Sequence, residues 1–104
     1  MYEDSQRDMK LTVKAINFEM AVRLEKYIEK KTKRYEKILN NAGAEMEIRM
    51  SVIKPETNLN KETKVRVMGN GPEMFAEKVC DTFEEGIDLC LEIIDRQVEK
   101  LKDR

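Results

Sequence analysis

The sequence predicts an α+β domain, a four-stranded sheet with two helices on one face, in the order β-α-β-β-β-α. Three observations predict it. Apolar and polar residues alternate in four separate segments, apolar residues recur at helical spacing in two others, and 104 residues suffice for a single hydrophobic core.

Residues 1–8 show no periodicity and read as a loose leader, which leaves 9–104 as the single domain. Lys10 to Ile16 alternates, with Leu11, Val13 and Ala15 on one side, as in a strand. From about Met20 to Leu39, the residues Leu24, Tyr27, Ile28, Tyr35, Ile38 and Leu39 fall at helical spacing with no Gly or Pro between them, predicting one helix. Asn40-Asn41-Ala42-Gly43 supplies its stop signal, whereas Ala21 offers no capping hydroxyl at its start. Ala44 to Lys54 sets Met46, Ile48, Met50 and Val52 against Glu45, Glu47, Arg49 and Ser51, the pattern of an antiparallel sheet covered on one side.

Pro55 to Asn60 is a loop in which Leu59 is the candidate core residue. Thr63, Val65 and Val67 mark a third strand, Gly69-Asn70-Gly71-Pro72 a hairpin connection, and Glu73 to Val79 the returning fourth strand. Asp81 and Glu84 have the spacing of a capping box. Phe83, Ile87, Cys90, Leu91, Ile94, Val98 and Leu101 then form the apolar stripe of a second helix.

Composition prunes the chemistry. The chain has no His, which excludes Ser-His-Asp and Cys-His nucleophile systems and His-ligated metal sites. Cys80 and Cys90 lack CxxC spacing and read as reduced thiols, more simply core residues than reactive ones. None of the four glycines falls in a phosphate-binding loop pattern. Asp81, Glu84, Glu85 and Asp88 lie on a helix without the loop geometry of an oxygen-ligated cation. No enzyme activity, metal, cofactor or small-molecule substrate is therefore expected. The polar, acidic beginning does not resemble a signal peptide, and no apolar run is long enough to span a membrane, so a cytoplasmic location is expected.

The formal net charge of −1 does not favour a nucleic acid, so the distribution of charge decides. On a continuous first helix, Arg23, Lys26, Lys30, Lys33, Arg34 and Lys37 share about a third of the circumference. Glu25, Glu29 and Glu36 occupy another sector. On the second, Arg96, Lys100 and Arg104 recur every four residues along one edge beside Leu89 and Ile93. Glu84, Glu85, Asp88, Glu92, Asp95, Glu99 and Asp103 lie on the far side. Spacing leaves two readings open, a solvated face or a basic stripe for a structured phosphate backbone. The aromatics fall mostly on apolar stripes, and no exposed aromatic pair is expected on the sheet.

Lys10 to Arg104 resembles the ribosome hibernation-promoting factor family, also called ribosome-associated inhibitor A or the ribosomal subunit interface proteins. The resemblance rests on Asn17-Phe18-Glu19-Met20, on Leu24 to Lys37, and on the hairpin before Glu73-Met74-Phe75-Ala76. Ile87-Asp88 and the run from Arg96 to Lys102 carry most weight, and Lys54 to Glu62 with Cys80 to Glu85 look like one branch's variant. It implies a fold similar to double-stranded RNA-binding domains. It also implies binding in the tRNA and mRNA channel of the small ribosomal subunit through rRNA phosphates, which would inhibit translation and preserve idle ribosomes under stress and in stationary phase.

By the resemblance, Lys31, Arg34, Arg96, Lys100 and Lys102 fall at RNA-contacting positions; together with the stripe residues Lys26, Lys30, Lys33 and Lys37 they are the candidate site. Ile93, Asp95, Glu99 and Asp103 depart from a helix that is more uniformly basic in many members, which bears on binding strength more than on its place. The chain ends at Arg104, so a short form is expected, without the C-terminal domain by which long members dimerise ribosomes. The rival reading is a protein-interaction module, a homodimer joined through the polar sheet face of Glu45, Glu47, Arg49, Lys64 and Arg66.

Overall fold

The computed structural model describes residues 9–39, 44–54, 59–69 and 71–102. The strands are β1 (Met9–Ala15), β2 (Ala44–Val52), β3 (Lys61–Met68) and β4 (Met74–Cys80). The helices are α1 (Val22–Thr32), α2 (Tyr35–Leu39) and α3 (Phe83–Lys102). The expected leader, the stop signal at 40–43 and residues 103–104 lie outside the described residues, as do the side chains of Ile38, Leu39 and Lys102.

The four strands lie side by side in sequence order. The expected antiparallel sheet is in fact mixed. β1 runs parallel to β2, with Met9 opposite Ala44 and Ala15 opposite Met50, while β2–β3 and β3–β4 are antiparallel. The cause is the connection: a crossover carrying a helix returns the chain to the starting edge and delivers a parallel strand. Asn17 closes the end of this pair, its amide donating to Val52 O and its carbonyl accepting from Val52 N, both at 2.8 Å.

Alternation along β2 and β3 sends Met46, Ile48, Met50, Val65 and Val67 into the core. There they meet Leu24, Ile28 and Tyr35 from the first helical segment and Ile87, Cys90, Leu91, Ile94 and Val98 from α3. Phe18 and Phe83 stack with centroids 4.5 Å apart, tying the entry of α1 to the start of α3. The loop residue expected in the core, Leu59, is exposed instead at φ 47°. Its neighbour Asn60 is buried, bonded through its amide to Lys54 O at 3.1 Å and through its backbone carbonyl to Ile53 N at 2.9 Å. A polar side chain that satisfies a tight turn wins the interior position here.

Two helix boundaries differ from the expected ones. The first helix breaks at Lys33–Arg34. Thr32 turns its hydroxyl back to Ile28 O at 2.8 Å, a bond that bends helices. The chain then tightens through Glu36 N to Lys33 O at 3.1 Å and Lys37 N to Arg34 O at 3.2 Å. Tyr35, just beyond this turn, lies in the core, where its hydroxyl donates to Leu91 O at 3.1 Å. At α3 the cap is Thr82, whose hydroxyl accepts from Glu85 N at 3.2 Å, and not Asp81. Asp81 is committed elsewhere, accepting from Leu59 N at 2.8 Å.

Candidate nucleic-acid interface

The candidate basic residues fall into three groups. Lys26, Lys30 and Lys33 recur along the flank of α1 nearest β1. With Lys10 of β1 they line an open groove of about 780 Å³ whose other walls include Met9, Leu11 and Thr32, with Glu29 and Glu36 at its side. Lys10 was not expected there. Its place depends on the parallel pairing of β1 and the crossing of α1, neither of which periodicity reveals.

The second group is Lys31 and Arg34, which face α3. Spacing assigned Arg34 to the stripe with Lys30 and Lys33, and Lys31 entered only by the resemblance. Three residues apart, Lys31 and Arg34 already lie about 60° from each other on a helix, and they border a common depression with Asp88, Leu91, Glu92 and Asp95. Lys31 spreads its stem over the Tyr27 ring, Nζ 5.4 Å from the centroid and 3.7 Å from Asp88 Oδ1. Arg34 grips Asp95 with both terminal nitrogens at 3.0 and 3.2 Å and stacks on Tyr35, its Cζ 4.5 Å from the ring centroid.

The acidic side of α3 was expected to lie away from the basic edges. Asp88 and Asp95 instead face the first helical segment and bind its cations and tyrosines. The Tyr27 hydroxyl donates to Asp88 at 2.7 and 2.8 Å, and burial followed by this bond pushes its pKa up to about 12. Burial, then the bond to Asp95, holds the Tyr35 hydroxyl further above its ordinary range. Asp95 in turn raises the Arg34 pKa, fixing a charge that is present at every physiological pH.

The third group stands on α3. Arg96 and Lys100 are exposed, Arg96 with Glu92 at 3.8 Å. Lys37 is exposed on α2, and the side chain of Lys102 lies outside the described residues. Gln97, one residue beyond Arg96, is bonded to the backbone of β4, donating to Phe75 O at 3.0 Å and accepting from Phe75 N at 3.3 Å. It covers the open edge of the sheet.

Comparison with known proteins adds three findings. Residues 11–104 match the family described as sigma 54 modulation protein / S30EA ribosomal protein. A ribosomal subunit interface protein from Coxiella burnetii superposes with a TM-score of 0.75 at 19% identity, over 92% of this chain and 100% of that one. The N-terminal domain of Protein Y from Thermus thermophilus superposes at 0.70 with 17% identity, over 86% of this chain and 94% of that one. At these identities the two likenesses establish the fold. No curated protein sequence matches the chain.

Proposed function

The chain belongs to the sigma 54 modulation protein / S30EA ribosomal protein family, a family of ribosome-associated proteins, and from that premise we propose that it is a ribosome hibernation factor. In this reading it occupies the tRNA and mRNA channel of the small subunit, held by rRNA phosphates, and inhibits translation in non-growing cells by excluding both ligands. The mechanism is steric and needs no catalysis.

The observation that carries this reading is the groove flanked by Lys26, Lys30 and Lys33. The ammonium groups of Lys26, Lys30 and Lys33 beside two carboxylates give a local excess of positive charge in a chain whose net charge is −1. That excess is what a phosphate backbone selects. Arg96 and Lys100, exposed on α3, extend the contact. Lys31 and Arg34 contribute less while Asp88 and Asp95 hold them.

Co-sedimentation with small ribosomal subunits across a salt series, with tRNA as competitor, tests the proposal. Binding should weaken with salt, the slope of log K against log salt steepening by about 0.7–0.9 for each phosphate neutralised. Lys26→Glu with Lys30→Glu should reduce affinity at least tenfold while circular dichroism stays unchanged. Binding indifferent to salt and to tRNA would overturn it.

A further inference from the structure

The face of the sheet turned away from the helices carries a row of cations across three strands. Register sets Lys14 opposite Arg49 and Arg49 opposite Lys64. Neighbouring strands lie about 5 Å apart, so three positive side chains stand in line over roughly 10 Å. Like charges placed directly opposite destabilise a sheet. A row of this kind opposes folding unless an anion offsets it.

Glu45, Glu47, Glu62 and Glu77 share this face, but only some of them reach a cation. Lys14 pairs with Glu47 at 3.5 Å, and Arg66, two residues along β3 from Lys64, pairs with Glu73 at 3.0 Å. Among the described residues neither Arg49 nor Lys64 has an ion-pair partner, although Glu77 stands opposite Lys64 on β4. Phe75, diagonal to Lys64, is 43% exposed, unlike the other phenylalanines, which pack on the core. Glu47, Arg49, Lys64, Arg66 and Phe75 enclose a shallow depression of about 160 Å³. Aligned cations beside one open aromatic ring are the elements by which sheets hold single strands, the cations on phosphates and the ring on a base.

We propose that this outer face is a second RNA-binding surface, which takes a single-stranded segment of small-subunit rRNA along Lys14, Arg49 and Lys64 and stacks a base on Phe75. The inference rests on the ribosome-bound reading above and adds rRNA to the side of the molecule opposite the lysine groove.

Both native thiols are buried, so one added surface cysteine can be labelled selectively. Lys64→Cys and, in a separate protein, Lys30→Cys would carry a photoactivatable crosslinker and be irradiated on small subunits free of mRNA. Crosslinks to rRNA from both positions support the proposal. Crosslinks to rRNA from position 30 alone overturn it and leave the helix-side reading standing. Attachment at position 64 to a ribosomal protein, or to a second copy of this chain, overturns it in favour of a protein partner. Failure at both positions overturns it together with ribosome binding. As an independent measure, Arg49→Glu with Lys64→Glu should lower affinity at least tenfold and reduce the salt slope by about 1.4, the loss of two single-strand phosphate contacts. An unchanged slope in the folded variant would overturn it.

Discussion

Asp95 occupies both terminal nitrogens of Arg34, at 3.0 and 3.2 Å, and also accepts from the Tyr35 hydroxyl. One carboxylate on α3 thereby holds the cation that family resemblance places on RNA. The Arg34 and Asp95 side chains are 50% and 38% exposed, so the pair adds only about 0–1 kcal/mol to stability. Its larger effect is on binding, because a phosphate must displace Asp95 to reach the guanidinium.

Asp95→Asn should therefore tighten binding to small subunits several-fold at low salt and steepen the salt slope by up to about 0.9, one further phosphate contact. The amide keeps an acceptor for Tyr35, so the unfolding midpoint should move little. The co-sedimentation series described above measures the affinity. Unchanged affinity and slope would mean that Arg34 meets no phosphate.

Gly86 of α3 packs tightly against Thr63 of β3. A Cβ there would stand 2.5 Å from Thr63 Oγ1 and 3.1 Å from Thr63 Cβ, and the strand that carries Thr63 is buried at that point. Thr63 Oγ1 itself finds no hydrogen-bond partner among the described residues. Gly86→Ala gains up to about 1 kcal/mol of helix propensity but meets an overpacking cost of about 1–3 kcal/mol. Net destabilisation of about 1–2 kcal/mol is expected in urea unfolding. Adding Thr63→Ala opens the space and should recover part of the loss, a coupling that a double-mutant cycle reads directly.

These cases show what the residue pattern could and could not carry. The strands were legible because each buries one face, so Met46, Ile48 and Met50 announce themselves against Glu45, Glu47 and Arg49. The stripe of α3 was legible for the same reason. The candidate site was legible only in part. A helical wheel fixes angles within one element and does not show which neighbour each edge of the stripe will meet. Lys26, Lys30 and Lys33 stay together toward β1, whereas Arg34, at the edge of the stripe next to Lys31, turns to α3. The pairing of Lys31 with Asp88 and of Arg34 with Asp95 joins residues about sixty apart in the chain. Only the packing of α1 on α3 brings them together, and local spacing holds no trace of it. The cation row on the outer face was hidden likewise, since Lys14 and Arg49 become neighbours through a parallel register.

The tyrosines give a pH dependence with a definite sign. Burial and a carboxylate partner raise the Tyr27 pKa from 10.0 to about 12, and the same causes raise Tyr35 further. The folded state retains these protons where the unfolded chain has begun to lose them. Their contribution to stability is complete below about pH 10 and is lost as pH rises through the folded values. The urea midpoint should fall between about pH 10 and 12, and Tyr27→Phe or Tyr35→Phe should each flatten that fall. Phenolate absorbance should appear late in the native protein and near the ordinary value in urea. Normal titration of every tyrosine in the native state would exclude the two hydrogen bonds to α3.

Cys90 lies at the contact of α3 with β3, wholly buried, its thiol donating to Thr63 O at 3.5 Å. Burial pushes its pKa up to about 12, and burial raises that of Cys80 as well. Nucleophilic attack requires the thiolate and access to it, and the fold withholds both. In the native protein at neutral pH, neither thiol should react with iodoacetamide on the timescale that modifies a free cysteine, and in urea both should react fully. Mass spectrometry distinguishes the outcomes by counting adducts. Native labelling of Cys90 at a rate that tracks the unfolding equilibrium across urea would show that opening of α3 from β3 requires global unfolding. Labelling faster than that equilibrium allows would show instead that α3 lifts from the sheet locally, and the close contact of Gly86 with Thr63 would then be the first to open.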